Sequence, residues 1–166
     1  MTQDIQQIKL DRMRYTKDKL SSNLILLAIV FDCLYFISLY KSDVGSYYYN
    51  WAIGASIVYN LLFLLAGFLA SEGVKSRNGG YTGILIFIGL MQFVRMTFLP
   101  SRAYHATVEA SGVAVQVMDG GQYTYVLVCL AVSGVCCLVA AFTSARNTKL
   151  LAAYMSTIDT NVERVD

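Results

Sequence analysis

The chain has 166 residues, enough for one domain; 56% of them are hydrophobic and only 14% are charged. A soluble domain carries about 25% charged residues, so this composition excludes an ordinary water-soluble globule and sends the excess apolar surface to lipid or to partners. A formal net charge of +2 with no dense Lys/Arg run argues against a nucleic-acid-binding protein.

Residues 1–20 form a charged tail in which Asp4, Asp11 and Asp18 dilute any attraction to anionic lipid, and Ile5, Ile8 and Met13 make only a thin apolar face. The tail is read as a solvated helical extension of the first span. Residues 21–40, SSNLILLAIVFDCLYFISLY, are the first stretch long enough to span a bilayer, which needs roughly 20 apolar residues. Its length, with Tyr40, Lys41 and Ser42 where a small-x-small cleavage site would lie, argues against a signal peptide.

The second span is placed at 48–70, the third at 81–99, closed by Pro100, and the fourth at 122–144. Tyr47, Tyr48, Tyr49 and Trp51, then Tyr81, then Tyr123 and Tyr125 fall at span ends, where amphipathic rings anchor at headgroup level. The loop at 100–121 holds a valine-rich alternation, Val113, Val115 and Val117 against Ala114, Gln116 and Met118. With Ser111-Gly112 as a turn, this predicts a small β-hairpin. The tail at 145–166 is expected to prolong the fourth helix by two or three turns, with Leu150, Leu151, Tyr154 and Met155 as an apolar face able to dock on the N-terminal helix or on another protein.

Ten of the thirteen Lys and Arg residues lie in the two tails and the 71–80 loop. Only Lys41 and Arg102 lie on the other side, and Arg95 is inside a span. Positive charge gathers on the cytoplasmic side, so the expected fold is an all-α integral membrane protein. It is a single four-helix domain over residues 1–166, in the plasma membrane or a bacterial inner membrane, with both termini cytoplasmic and the hairpin outside.

The four cysteines, Cys33, Cys129, Cys136 and Cys137, all lie in apolar runs without a CxxC pair, and His105 is the sole histidine. These cysteines read as small packing residues rather than as a disulfide scaffold or metal site. No cofactor is expected.

Asp32, Asn60, Gln92 and Arg95 are polar residues inside the spans. An isolated charge in hydrocarbon costs about 2.5–3.5 kcal/mol on insertion scales, so these groups should turn inward and find partners. Asp32 lies about 12 Å and Arg95 about 6 Å below the outer ends of their helices, from a rise of 1.5 Å per residue. Arg95 either reaches down to pair with Asp32 or snorkels outward, leaving Asp32 protonated or hydrogen-bonded to Asn60 or Gln92. The paired, structural arrangement is the expected one.

A single membrane-embedded acid, Asp32, in the first of four helices resembles the small multidrug-resistance exporters; the resemblance covers the helix count and that one residue. It implies a proton or ion relay through Asp32. This chain is longer and adds Arg95, which can neutralise the acid.

Small residues repeat at four-residue spacing: Ala52, Ser56 and Asn60 on the second span, and Ser133, Cys137, Ala141 and Ala145 on the fourth. Such stripes let helices approach closely, inside the bundle or against another membrane protein or a second copy.

The chain shows no nucleotide-binding loop, nucleophile–base pair or interfacial thiol pair. The expected role is a non-enzymatic accessory or scaffold subunit of a membrane complex. The alternative is a small oligomeric ion-coupled transporter or channel using Asp32. A thiol oxidoreductase ranks last, because Cys136 and Cys137 are adjacent and inside a span.

Overall fold

A computed structural model describes residues 2–40, 51–110 and 113–162. The chain order is α1 (Thr2–Tyr15), α2 (Lys19–Tyr40), α3 (Trp51–Lys75), α4 (Gly80–His105), β1 (Thr107–Ala110), β2 (Val113–Gln116) and α5 (Gly120–Val162). Four of these helices, α2 to α5, are long and apolar enough to cross a membrane. Tyr47, Tyr48 and Tyr49 lie outside the described residues, as does the start of the second span at 48–50.

α5 packs along both α2 and α4; α2 also packs on α3, and α3 meets α4 more sparsely. The core falls into two apolar layers. One contains Ile25, Ala28, Ile29, Phe63, Ala70, Val74, Leu85, Ile88, Cys136, Cys137, Ala140 and Ala141. The other contains Tyr35, Leu39, Ala103, Val117, Met118, Val126, Cys129 and Leu130. Leu61, Leu62, Leu65, Phe87 and Phe142 point outward and are more than half exposed, as expected of helices with lipid rather than water around them.

α4 and α5 approach closely. A Cβ at Gly134 would stand 2.8 Å from the Phe93 ring and 3.2 Å from the carbonyl oxygen of Gly89, while one at Gly89 would stand 3.2 Å from the Cys137 Cβ. Only residues without a side chain leave room for this contact.

Three expectations are corrected. The N-terminal tail is not an extension of the first span. α1 ends at Tyr15, and α2 starts afresh at Lys19, capped by Asp18, whose Oδ1 accepts the Ser21 backbone N–H at 3.2 Å. An Asp side chain satisfying a first-turn N–H starts a helix.

The third helix does not stop at Pro100, so the loop does not begin there. α4 runs on to His105 with Pro100 inside it. The proline forgoes one backbone hydrogen bond, but Pro100 and Ala103 are buried against the second apolar layer, and that packing carries the helix another turn and a half. The C-terminal extension is longer than two or three turns. α5 reaches Val162, on a stretch that holds Ala145, Leu150, Leu151, Ala152 and Ala153 and is free of Gly and Pro after Gly134.

β1 and β2 pair antiparallel, with Ala110 opposite Val113 and Thr107 opposite Gln116. From Ala114 on, neither face of β2 is covered: Ala114, Val115 and Gln116 are exposed. Only the residues that follow, Val117 and Met118, enter the core.

Candidate functional site

The most concentrated chemistry lies between the two apolar layers. Asp32 on α2 is 1% exposed. Its Oδ1 accepts hydrogen bonds from Arg95 Nη1 at 2.6 Å and from Gln92 Nε2 at 2.9 Å, both on α4. Arg95 Nη1 also donates to Gln92 Oε1 at 2.8 Å, and Nη2 donates to Asn60 Oδ1 on α3. Gln92 Nε2 further contacts Ser133 Oγ on α5 at 3.2 Å, and Ser133 Oγ donates to the Ala28 carbonyl of α2 at 2.9 Å. One network therefore joins all four long helices.

The guanidinium is also flanked by two rings, with its carbon 4.7 Å from the centre of Tyr35 and 4.5 Å from that of Tyr59. This is cation–π range, and such contacts strengthen where water is excluded. Helical spacing explains the convergence: Gln92 and Arg95 are three residues apart on one face of α4, as are Asp32 and Tyr35 on α2.

The arrangement is a neutral ion pair with its polar atoms shared among four helices. Buried polar atoms beside it, Tyr59 Oη and Asn60 Nδ2 among them, have no hydrogen-bond partner among the described residues, and neither has Ser56 Oγ, one turn before Asn60 on α3. The Asn60 amide is spent on one side only: its oxygen accepts from Arg95, while its buried NH2 has no partner among the described residues.

Asp32, Asn60, Gln92 and Arg95 thus converge, and Ser133 joins them. Ser56, Cys137 and Ala141 are buried within the bundle, so both small-residue stripes supply internal faces at these positions. The side chain of Ala52 lies outside the described residues. The four cysteines are free thiols, and among the described residues no cluster of His, Cys, Asp and Glu has the geometry of a metal site.

A second polar layer, where α2 begins, escaped the sequence reading. Asp18 is 6% exposed. Its Oδ2 accepts from Ser21 Oγ at 3.1 Å and from Asn147 Nδ2 of α5 at 2.8 Å. Its backbone N–H donates to the Lys75 carbonyl at the end of α3 at 3.1 Å. Ser21 Oγ lies 2.9 Å from Thr143 Oγ1, and Ser22 Oγ lies 2.7 Å from Ser71 Oγ. The available signal was local: an Asp three residues before a Ser at the head of an apolar run is a helix-start pattern. It was hidden because Asp18 sits among charged residues.

Beyond this layer, Tyr154 Oη donates to Asp11 Oδ1 at 2.6 Å and fastens the α5 extension to α1. That bond to a carboxylate pushes the Tyr154 hydroxyl up from its usual value. Comparison of the chain with family models, with curated proteins and with solved structures finds no match to any of them.

Proposed function

We propose that the chain is a four-span integral membrane protein of the plasma membrane or a bacterial inner membrane. Both termini are cytoplasmic, the β1–β2 hairpin is outside, and the protein serves as a non-enzymatic accessory or scaffold subunit of a membrane complex. The carrying observation is the state of Asp32: its carboxylate is held by Arg95 and Gln92 in one network with all four helices. An acid that carries protons or ions must alternate between free and bound, whereas this one is neutralised inside the chain itself. Apolar packing by Ile25, Ala28, Leu85, Cys137, Ala140 and Ala141 between the two polar layers supports a bundle without a continuous polar path among the described residues.

Purification in mild detergent tests the reading. A stoichiometric membrane-protein partner is the expected result, and a partner-free chain under several mild detergents would remove the accessory role.

One observation favours an ion-coupled transporter or channel instead. Tyr59 Oη and Asn60 Nδ2 beside the ion pair, and Ser56 Oγ one turn away on α3, are buried without hydrogen-bond partners among the described residues, a setting that water or a passing solute would satisfy. That reading requires a homo-oligomer, because four helices are few to enclose a pathway. It also requires Asp32→Asn to abolish coupled flux in proteoliposomes; a homodimer whose flux survives that change removes Asp32 from any relay.

A further inference from the structure

α2 and α3 form a surface groove of about 380 Å³ at the end of the bundle where α2 starts and α3 stops. It is lined by Lys19, Ser22, Asn23 and Leu26 of α2 and by Phe68, Ser71, Glu72 and Lys75 of α3. These residues recur at three- and four-residue spacing, so each set is one helix face.

The Ser22–Ser71 hydroxyl contact at 2.7 Å fixes the register of the two antiparallel faces. Lys19 precedes Ser22 by three residues and Lys75 follows Ser71 by four, so both lysines lie about 5–6 Å to the same side of that contact. Leu26 and Phe68 lie about one turn, roughly 5 Å, to the other side. The groove is therefore layered along the bundle axis: ammonium groups at the end, hydroxyl and amide groups next, apolar side chains beyond.

The charge along the rim is net positive. Glu72 is the one acid in the lining, and Lys75 Nζ binds it at 2.8 Å. Lys17, which also acts on Glu72, and the buried Asp18 stand beside the lining, so three lysines face two carboxylates and one positive charge is in excess.

We propose that this groove binds one anionic phospholipid of the cytoplasmic leaflet. The phosphate sits at the Lys19–Lys75 rim, the glycerol region lies against Asn23, Ser22 and Ser71, and an acyl chain lies over Leu26 and Phe68. The polarity gradient runs in the direction a lipid requires, from charged headgroup to hydrocarbon, and the excess lysine charge selects an anionic headgroup over a zwitterionic one. A soluble anion would use the rim and leave the apolar layer exposed. The inference rests on the membrane reading but not on any partner.

The test uses the full chain in mild detergent, with retained lipid counted by native mass spectrometry after addition of phosphatidylglycerol or of phosphatidylcholine with the same acyl chains. Phosphatidylglycerol is expected to be retained preferentially. The double variant Lys19→Gln/Lys75→Gln should lower that preference about 10- to 30-fold. Arg146→Gln/Lys149→Gln, which removes two exposed cations of α5 from the same end, should leave it unchanged, and an excess of inorganic phosphate should displace nothing.

If the double variant lowers the melting temperature, Lys19→Gln alone, at an exposed position, gives the same reading with a smaller effect. Equal retention of the two lipids overturns the proposal. So does a preference that survives loss of the lysines, an equal loss in the α5 pair, or displacement by phosphate. Resistance of the chain to alkaline extraction from membranes is read in parallel, so that a failed lipid preference is separable from failed membrane insertion.

Discussion

Asp32 shows how a single residue type forces structure. A carboxylate in a 20-residue apolar run has to be paired or expelled, and the chain supplies Arg95, Gln92 and Asn60 at the depths that permit pairing. Removing one partner leaves the other charge buried. Asp32→Asn is therefore expected to cost about 3–5 kcal/mol, the usual penalty for breaking a buried pair, and to lower the midpoint of unfolding in detergent. Adding Arg95→Leu removes the stranded cation and should recover part of that loss. If the double variant is no more stable than Asp32→Asn, the two groups are not coupled as the 2.6 Å contact implies.

These four residues were legible in the sequence because polarity in an apolar run is conspicuous. Tyr35 and Tyr59, which flank the guanidinium, were not, because aromatic residues are ordinary in such runs. Asp18 was illegible for the opposite reason: it lies in a tail full of charges, and its burial is decided by the end of α3 and by Asn147 within α5 rather than by its neighbours in sequence. Asp18→Ala should cost about 1 kcal/mol for the lost cap and about 1–3 kcal/mol more for stranding the Asn147 amide, measured as a fall in unfolding midpoint. A change within error would mean that α2 starts without that cap.

Among the elements, the helices were readable from length and composition, and their ends were not. Pro100 is a strong stop signal in a sequence, yet α4 continues because Ala103 has a core to enter. The tail of α5 runs on because it has α1 to lean against. Close packing sets the α4–α5 contact. Gly134→Leu would drive a side chain into the Phe93 ring and the Gly89 carbonyl, so it is expected to destabilise the bundle by about 1–3 kcal/mol through overpacking. The same change at Gly54, where an added Cβ meets nothing within 4 Å, should be close to neutral, and equal effects at the two sites would show that helix propensity rather than contact governs both. Met118, fully buried just past β2, ties the hairpin to the bundle. Met118→Ala should cost about 2–5 kcal/mol and expose the hairpin to proteolysis before the helices unfold.

Across the whole molecule, two polar layers hold four apolar helices in one arrangement. One lies at the Asp32–Arg95 network. The other lies about 20 Å away along α2, fourteen residues at 1.5 Å each, where Asp18, Ser21, Ser22, Ser71, Thr143 and Asn147 meet. Hydrophobic packing alone does little to orient helices in lipid, since the tails are as apolar as the side chains; hydrogen bonds at two depths fix rotation and register together. Such a bundle presents its ends, not its interior, to the surroundings, and this gives the proposed topology a direct test. Four crossings put both termini and the α3–α4 turn on one side and the hairpin on the other. In a cysteine-free background, Asn78→Cys in that turn and Val115→Cys in β2, both exposed positions, should be labelled by a membrane-impermeant thiol reagent from opposite sides of a sealed vesicle, with terminal tags accessible from the Asn78 side. Labelling of both cysteines from one side would remove the four-span arrangement, and with it the argument that Asp32 and Arg95 meet within the hydrocarbon.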